Sequence, residues 1–340
     1  MKILVTGGCG YIGSHTIVDL ISNGFEVICL DSNIRSDEKI LTGVSEIVGK
    51  KITNNCIDLC DLNSTQQFFK EHTDITGVIH FAALKSVEES VEKPLFYHQN
   101  NIIGLLNLLQ CIKEFKIPNL IFSSSCSVYG NADTLPVTED FPIKKAESPY
   151  ARTKQVSEYI LQDFYNTHVE LNCIILRYFN PAGAHPSLLI GERPFGKPVT
   201  LVPVITSTGL GKRDKLAVFG TDYNTRDGSC IRDYIYIMDL ANAHTKGLQF
   251  LQSGNSEANC EIFNLGSGDG VSVLEMIKAF EETNNIVLNY ELSPRRDGDV
   301  VAVYADFSKA KRLLGWTPKA SLEDIMKTAW GWDKKVSLEE

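Results

Sequence analysis

The fold of this chain is indicated by one stretch near its start, Gly7-Gly8-Cys9-Gly10-Tyr11-Ile12-Gly13. The stretch follows the apolar run Ile3-Leu4-Val5 and precedes apolar residues at helical spacing, Ile17, Leu20 and Ile21. A strand, a glycine-rich turn and a helix in this order begin a βαβ unit, and the glycines allow a tight turn to which a ligand can come close. The first turn of the helix then offers its N–H groups to a pyrophosphate. The stretch therefore predicts a dinucleotide site.

A second strand completes this unit and indicates which dinucleotide binds. Gly24 stops the helix, and the apolar run Val27-Ile28-Cys29-Leu30 leads into Asp31. A carboxylate at this point accepts hydrogen bonds from the adenosine ribose and repels a 2′-phosphate. The sequence therefore favours NAD over NADP, although Arg35 in the following loop is a group that would attract a 2′-phosphate.

Length and charge exclude several kinds of partner. The chain has 340 residues, of which 43% are hydrophobic, and a net charge of −9. A chain of this length can bury a large core, in one big domain or in two closely packed ones. Its negative charge opposes nucleic acid or an anionic membrane as the main partner.

The N-terminus and the cysteines favour a cytoplasmic protein. Met1 and Lys2 lead directly into the first strand, and no apolar run approaches the roughly eighteen residues of a membrane span. The nine cysteines are scattered, which fits reduced thiols better than a disulfide framework. For Cys56 and Cys60 we expect burial, and we predict no metal site.

The first half of the chain alternates strand-like and helical runs, which is typical of a doubly wound parallel sheet. Strands are predicted near Ile52–Ile57, Val78–Ala82, Leu120–Phe122 and Cys173–Leu176, and helices over Leu95–Phe115 and Tyr150–Tyr165. We predict an α/β protein with a Rossmann-type cofactor domain over residues 1–180 and a smaller α/β substrate-binding domain over residues 181–340. The run Arg232–Tyr236 is interpreted as returning to the first sheet, which would place residues near 230–250 in the first domain.

Residues just after the strands are candidates for the site, because such a sheet binds its ligands outside the carboxyl ends of its strands. Asp58 follows the third strand, where it would accept from an adenine amino group. Ala82 and Ala83 follow the fourth strand, and their small side chains would let the backbone lie against a cofactor. The cluster Ser123-Ser124-Ser125 follows the next strand and places hydroxyl groups in the same crevice.

Tyr150 and Lys154 are the candidate proton-transfer pair. On a helix, residues four apart share a face, so the phenol and the ammonium group would project into the same space. A tyrosine has a pKa of about 10, and a nearby cation favours its phenolate, so the pair would supply a general base near neutral pH. The same spacing is common on solvated helix faces, but the glycine turn and the serine cluster upstream favour catalysis.

Several segments carry a resemblance to a known family. The chain resembles the extended short-chain dehydrogenase/reductase superfamily and, within it, the UDP-glucose 4-epimerase family, over essentially its whole length. The first of the segments that follow is shared by many members of the superfamily, and the last three together are more specific to nucleotide-sugar epimerases. The segments are residues 7–15 (GGCGYIGSH), 80–85 (HFAALK), 122–125 (FSSS), 148–150 (SPY), 177–181 (RYFNP), 232–235 (RDYI) and 294–299 (PRRDGD).

The resemblance implies interconversion of UDP-galactose and UDP-glucose by transient oxidation at C4 of the sugar. Hydride would pass to tightly bound NAD, the 4-keto sugar would rotate, and the hydride would return to its opposite face. Tyr150 would take the proton of the 4-hydroxyl group beside Ser125, while Lys154 would hold the nicotinamide ribose and lower the pKa of Tyr150. The resemblance also implies a homodimer, formed through helices equivalent to Leu95–Phe115 and Tyr150–Tyr165.

By the same resemblance, the remaining site residues bind either the cofactor or the UDP-hexose. Arg232 and Arg296 would contact the phosphates, Asp299 the ribose, and Phe219 the uracil ring. The implied cofactor residues are Gly7, Gly10, Tyr11, Ile12, Gly13, Asp31, Asp58, Leu59, Phe81, Ala82, Ala83, Lys85, Asn100, Tyr150, Lys154 and Phe179. The implied substrate residues are Lys85, Ser125, Tyr150, Tyr178, Asn180, Thr200, Leu201, Ala217, Val218, Phe219, Arg232, Arg296, Asp299 and Val303.

Two positions depart from the family pattern, and three other functions stay open. Thr200 stands where the family often has asparagine, and Val303 stands where a bulky tyrosine excludes N-acetylated sugars. We therefore hypothesise that UDP-N-acetylglucosamine and UDP-N-acetylgalactosamine are also interconverted. The alternatives are a nucleotide-sugar dehydratase, which would need an acid where Cys126 and Ser127 stand, a dehydrogenase that exchanges soluble NAD, and a non-catalytic dinucleotide sensor.

Overall fold

The computed structural model describes residues 1–254, 256, 258–296 and 300–339, and shows an α/β protein. The strands are β1 (Lys2–Thr6), β2 (Glu26–Leu30), β3 (Asn54–Asn55), β4 (Ile75–His80), β5 (Asn119–Ser125), β6 (Asn172–Tyr178), β7 (Asn180–Ala182), β8 (Leu216–Phe219), β9 (Ile231–Tyr236), β10 (Cys260–Leu265), β11 (Gly270–Ser272), β12 (Tyr290–Ser293) and β13 (Ala302–Val303). The helices are α1 (Tyr11–Ser22), α2 (Ile40–Val48), α3 (Leu62–Glu71), α4 (Val87–Glu92), α5 (Pro94–His98), α6 (Gly104–Glu114), α7 (Pro149–Thr167), α8 (Leu201–Gly209), α9 (Ile237–Ser253), α10 (Val273–Asn284), α11 (Ser308–Leu314) and α12 (Leu322–Glu339).

The centre of the molecule is a seven-stranded parallel sheet in the order β10-β6-β5-β4-β1-β2-β3. Alternate residues of its strands face opposite sides, and both sides are covered. Ile3 of β1 belongs to the apolar cluster that contains Ile17 of α1, whereas its neighbour Leu4 belongs to the cluster that contains Leu161 of α7. The doubly wound Rossmann-type sheet is therefore confirmed.

The substrate side of the molecule contains two smaller sheets. Strand β9 pairs with β7, β11 and β13, and strand β8 pairs with β12. The prediction that Arg232–Tyr236 joins the first sheet is wrong, because these residues form β9 of the second sheet. Instead α9 packs against α1, and β10 then adds the last strand to the central sheet. The division into domains at residue 180 stays a prediction.

Three other boundaries differ from the predicted ones. The third strand is only Asn54–Asn55 rather than Ile52–Ile57, since it is an edge strand that pairs on one side only. Strand β5 continues through Ser125, so the three serines end the strand rather than follow it. The helix predicted over Leu95–Phe115 is divided into α5, a π-helical turn over Gln99–Ile103, and α6.

The cysteines and the helices bear on the expected disulfides, metal sites and membrane spans. All nine cysteines are free thiols, but Cys56 is exposed and Cys60 half-buried, so the expected burial of this pair is wrong. Within the described ranges, no three His, Cys, Asp or Glu side chains lie close enough together to hold a metal ion. In the same part of the chain, every helix is too short or too polar to cross a bilayer.

Candidate active site

A cleft of about 2250 Å³ lies at the carboxyl ends of the central strands, between the main sheet and the smaller sheets. Of the predicted site residues that the structure describes, all but Val218 and Val303 line this cleft. Val218 is instead fully buried in the core, and Val303 is buried beside Phe179 in a separate apolar cluster. Asp299 lies outside the described residues. The cleft-lining residues are Gly7, Gly10, Tyr11, Ile12, Gly13, Asp31, Asp58, Leu59, Phe81, Ala82, Ala83, Lys85, Asn100, Ser125, Tyr150, Lys154, Tyr178, Phe179, Asn180, Thr200, Leu201, Ala217, Phe219, Arg232 and Arg296.

The glycine-rich turn forms one end of the cleft, and its geometry requires glycine. A Cβ atom on Gly13 would lie 2.3 Å from the carbonyl oxygen of Gly7, so a side chain there would force the helix off the strand. Gly7 has φ +71° and packs on the backbone of Ala82, where a Cβ atom would lie 2.7 Å from the amide nitrogen. Gly10 caps α1 without a side chain, which leaves the first N–H groups of this helix directed at the cleft.

Asp31 lies at the end of β2 beside this turn. Its Oδ2 accepts from the backbone N–H of Cys9 at 3.1 Å, and its Oδ1 accepts from the N–H of Asn33 and the hydroxyl of Ser36 at 2.9 and 2.7 Å. A carboxylate can accept about four hydrogen bonds, so one more donor can be accommodated. Arg35, the residue suited to a 2′-phosphate, forms an ion pair with Glu89 at 2.7 Å.

The next two strands bring further predicted residues to the same side. Asp58 accepts from the N–H of Cys60 at 2.9 Å, and Lys85 pairs with Glu192 at 3.1 Å. Asn100, in the π-helical turn, donates to the side chain of Asn101 at 3.0 Å. Asn101 is itself fixed, since its amide exchanges hydrogen bonds with both backbone groups of Leu84. The π-helical turn therefore holds Asn100 at the cleft.

The start of α7 places Tyr150 at the centre of the cleft. Ser148 is the N-cap, its hydroxyl accepts from the N–H of Ala151 at 3.1 Å, and Pro149 occupies the first helical position. Both are strong helix-start signals, so Tyr150 stands in the first turn and Lys154 one turn later. Ser125, at the end of β5, lines the same part of the cleft.

Burial is the largest cause of the pKa shifts of Tyr150 and Lys154. It raises the pKa of Tyr150 to about 12, against the effect of a hydrogen bond with Ser125. It also lowers the pKa of Lys154 to about 8, against the attraction of Glu158. The expectation that Lys154 lowers the pKa of Tyr150 is not met in this structure. The reason is that Nζ of Lys154 donates to the carbonyl oxygen of Ser123 at 2.5 Å and lies 4.9 Å from the centre of the Phe122 ring.

The opposite wall of the cleft combines an aromatic ring with two arginines. The guanidinium group of Arg296 stacks on Phe219 of β8, with Cζ 4.6 Å from the ring centre. Arg232 of β9 donates from Nη1 to the carbonyl oxygens of Ile231 and Val300, at 2.9 and 2.6 Å. Asn180 donates to the carbonyl oxygen of Asp233 at 3.0 Å. This wall offers a flat apolar face beside positive charge.

Tyr178, Thr200 and Leu201 are the remaining predicted residues at the cleft. The hydroxyl of Tyr178 contacts Nε2 of buried His244, whose Nδ1 lies 2.8 Å from the carbonyl oxygen of Leu240. Because Nδ1 donates to that carbonyl, Nε2 is the acceptor for Tyr178. Thr200 is the N-cap residue of α8, and Leu201 begins that helix at the cleft.

Three residues that were not predicted as site residues also line the cleft: Glu192, Trp332 and Tyr97. The carbonyl oxygen of Glu192 accepts from Nε1 of Trp332 at 2.9 Å, so the C-terminal helix fixes the segment that pairs with Lys85. Tyr97 donates to Glu89 at 3.0 Å and accepts from the N–H of Ser86. No local pattern marked these residues, because they come from segments distant in the sequence.

Comparison with known proteins gives a consistent result. A family model described as GDP-mannose 4,6 dehydratase matches residues 4–329. The UDP-glucose 4-epimerase of Haemophilus influenzae is 46% identical over 334 residues, which cover 98% of this chain and 98% of that protein. The chain belongs to the UDP-glucose 4-epimerase family.

Solved structures support membership in the UDP-glucose 4-epimerase family. The enzyme of Stenotrophomonas maltophila, with bound NAD and formylated UDP-arabinopyranose, is 43% identical with a TM-score of 0.97, and each chain is covered completely. The enzyme of Bifidobacterium longum, in complex with NAD⁺ and UDP, is 39% identical with a TM-score of 0.93 over 98% of each chain.

The site of this chain differs from the site that a dehydratase, the enzyme named by the family model, would need. A dehydratase would need an acid just after the serine cluster, where this chain has Cys126 and Ser127. Burial raises the pKa of the Cys126 thiol to about 12, so it is a poor proton donor for such a step.

Proposed function

We propose that this protein interconverts UDP-galactose and UDP-glucose, as the names of its relatives suggest. The observation that carries the proposal is the position of Ser125, Tyr150 and Lys154 in one cleft, between the glycine turn and the wall formed by Phe219, Arg232 and Arg296. One end of the cleft suits a dinucleotide and the other a nucleoside diphosphate. The three residues of proton transfer lie between them.

The residues at the first end fit NAD. The glycine turn leaves the N–H groups of α1 open to a pyrophosphate, and Asp31 retains capacity for a ribose hydroxyl. When bound, NAD supplies a reversible hydride acceptor for C4 of the sugar and a positive charge that favours the phenolate of Tyr150.

The residues of the chain then have separate tasks. Tyr150 accepts the proton of the 4-hydroxyl group and returns it, and Ser125 holds that hydroxyl group. Lys154 binds the nicotinamide ribose and remains beside Tyr150 as a cation. Phe219, Arg232 and Arg296 hold the uridine and the diphosphate, so the hexose can turn over while its nucleotide stays bound.

One assay tests this function directly. The purified protein is incubated with UDP-galactose and no added cofactor, and the products are separated by chromatography. We expect UDP-glucose to form until the two sugars reach equilibrium, and NAD to be released when the protein is denatured. Turnover that requires a continuous supply of soluble NAD would instead indicate a dehydrogenase, and no turnover with NAD bound would indicate a sensor.

We further propose that the N-acetylated UDP-hexoses are substrates. Val303 packs in the apolar cluster that contains Phe179, and Phe179 lines the cleft. Because the side chain at position 303 is small, Phe179 can shift away from the cleft and make space for the N-acetyl group. The protein should convert UDP-N-acetylglucosamine, and Val303→Tyr should lose that activity while it keeps the activity on UDP-galactose. Failure of the parent protein to convert the N-acetylated sugar refutes the idea.

A homodimer in the cytoplasm completes the proposal. Apolar side chains are exposed on the helical face of α5, the π-helical turn, α6 and α7, with Leu95 83%, Ile103 38%, Leu106 40% and Tyr159 53% exposed. Such a face favours an isologous contact with a second copy, and nine free thiols fit a reducing compartment. Sedimentation equilibrium should give twice the mass of the chain, and Leu106→Glu should give a monomer.

A further inference from the structure

The helix that carries Tyr150 and Lys154 has a third polar residue on the same face, Glu158. Residues four apart on a helix lie one above the other, so the three side chains form one stripe along α7. Glu158 does not line the cleft and is completely buried, with 0% of its surface exposed. A carboxylate is rarely buried in this way unless a specific partner holds it.

The partners of Glu158 come from the ends of β5 and β6. Arg177, which is also buried, donates to it through two nitrogens: Nη2 to Oε2 at 2.7 Å and Nε to Oε1 at 3.1 Å. The hydroxyl of Ser124 donates to Oε1 as well. Ser124 pairs in register with Arg177 and directly precedes Ser125. One carboxylate therefore ties the catalytic helix to the strand end that carries Ser125.

Arg177 extends the same arrangement to the segment after Ser125. Its Nη1 donates to the hydroxyl of Tyr129 at 2.9 Å and to the carbonyl oxygen of Glu139 at 3.2 Å. The Tyr129 hydroxyl donates in turn to Asn264 of β10 at 2.6 Å. Ser124, which precedes Ser125, and Tyr129, which follows it, are therefore both hydrogen-bonded to the ion pair of Glu158 and Arg177.

We propose that Glu158 and Arg177 are positioning residues. Their ion pair fixes α7 relative to Ser125, and the carboxylate of Glu158 keeps a negative charge next to Lys154, so that Lys154 stays an ammonium ion. The catalytic consequence of this inference rests on the proposed function. Replacement of a charged pair by apolar groups is often neutral or stabilising, so a buried pair is not explained by stability alone.

The surroundings of Lys154 make Glu158 the negative group that matters. Tyr150 on α7 is neutral because of its raised pKa, and burial lowers the pKa of His80 on β4 to about 3, so it is neutral too. Strand β5 contributes a carbonyl oxygen and the Phe122 ring, which carry no net charge. Strand β6 contributes Arg177, whose positive charge is paired with Glu158. The attraction of Glu158 is what opposes the loss of the proton from buried Lys154.

The test is a direct titration of Lys154. In protein labelled with ¹³C at the lysine Cε positions, Lys154→Met assigns the signal, and the parent should titrate with a midpoint of about 8. In Glu158→Gln the carboxylate is gone while Arg177 keeps its charge, so the midpoint should fall by about one pH unit or more. An unchanged midpoint overturns the proposal.

A matched variant separates this effect from the general loss of a buried ion pair. Glu261→Gln removes the carboxylate that pairs with Lys309 at 2.8 Å, in the same sheet but away from Lys154. The Lys154 midpoint should stay at the parent value in this control. The titration needs no turnover. A parent protein that fails to epimerise UDP-galactose would therefore refute the proposed function, whereas the role of Glu158 beside Lys154 would still be decided by the titration.

Two further variants keep the proposal testable if Glu158→Gln does not fold. Glu158→Gln combined with Arg177→Met removes both charges, and its Lys154 midpoint should lie below that of the parent; a midpoint equal to that of the parent contradicts the role of the charge. Ser124→Ala removes one hydroxyl contact and leaves the ion pair. It should lower kcat several-fold at an unchanged KM for UDP-galactose, because Ser125 is less firmly placed, and an unchanged kcat contradicts the positioning role.

Discussion

Tyr150 is half-buried, and its phenol has a pKa of about 12 in the protein alone. The sequence indicates the residue as a candidate, since its spacing to Lys154 and the motifs upstream can be read directly. It did not give the pKa, because the pKa depends on how much water the folded wall excludes. In the proposed reaction, proton transfer from the sugar to Tyr150 would therefore require the charge of the cofactor as well as that of Lys154.

Removal of the phenol oxygen should stop the reaction. Tyr150→Phe is expected to lower kcat by roughly a thousandfold or more, which is within the range for loss of a general acid–base. Tyr159→Phe is the matched control, because it makes the same change on the same helix at an exposed position. Activity with UDP-galactose is measured for both variants, and equal rates in Tyr150→Phe and the parent would exclude this role.

Lys154 should reduce the stability of the fold, with a sign that depends on pH. Its pKa falls from 10.5 to about 8 on folding, so between these values the unfolded chain holds a proton that the folded protein has lost. Stability therefore rises with pH through this window, and the full penalty is present below about pH 8.

Lys154→Met should remove that penalty. We expect the free energy of unfolding to rise by roughly 2 to 3 kcal/mol at pH 7 and by less at pH 9.5, while epimerisation is lost. Urea denaturation at the two pH values measures the difference. A variant that is less stable than the parent at pH 7 would contradict this prediction.

Among the helices and strands, α7 begins where the sequence indicates a helix start, and this start places Tyr150 at the cleft. Ser148 and Pro149 mark the helix start in the sequence, and the structure has the cap at that place. The π-helical turn over Gln99–Ile103 had no such signal, and its Asn101 hydrogen-bonds to the backbone of Leu84, which lies before α4 and α5 in the sequence. The length of β5 was also missed, since pairing with β6 extends it through three polar serines.

Loss of the α7 cap should affect both stability and catalysis. Ser148→Ala is expected to cost about 1 kcal/mol of stability and to lower kcat, because Tyr150 lies in the turn that loses its cap. Asp61→Ala removes the cap of α3, whose residues do not line the cleft, so it should lose similar stability at unchanged kcat. Thermal unfolding and steady-state kinetics are compared, and equal kinetic effects in both variants would show that the cap has no special role.

The turn before α1 should tolerate no side chain at its last glycine. Gly13→Ala places a Cβ atom 2.3 Å from the carbonyl oxygen of Gly7, so the turn must open and NAD binding should weaken at least about tenfold. Gly49→Ala is the control: its φ is +64° with open space around it, so it should cost about 1 kcal/mol of local strain and keep NAD. Nucleotide released on denaturation is measured by absorbance.

At the scale of the whole molecule, the cleft joins two walls that are far apart in the sequence. Tyr11 of α1 donates to the carbonyl oxygen of Gly183 at 2.5 Å, and Lys85 pairs with Glu192. The Rossmann-type half could be predicted from regular alternation of strands and helices. The strands of the second wall could not, because they are short and become recognisable only when they pair, β7, β11 and β13 with β9, and β8 with β12.

Binding of UDP should stabilise the whole protein. At a concentration one hundred times its Kd, UDP is expected to add about 2.7 kcal/mol to the free energy of unfolding and so to raise the Tm by a few degrees. CDP, which has a different base edge, should raise it less, and Arg296→Ala should reduce the effect of UDP. Calorimetry measures the shifts, and equal shifts with UDP and CDP would contradict base recognition at Phe219.

The position of β10 has a consequence for synthesis on the ribosome. Its partner β6 ends at Tyr178, but β10 is not complete until Leu265, so the nascent chain carries an apolar sheet edge through all the intervening codons. At ordinary translation speeds of about 5 to 20 residues per second, that edge is uncovered for roughly 4 to 17 seconds. Exposed edges of this kind invite pairing with other chains. Newly made copies should therefore depend on chaperones, and truncation before residue 260 should yield aggregates.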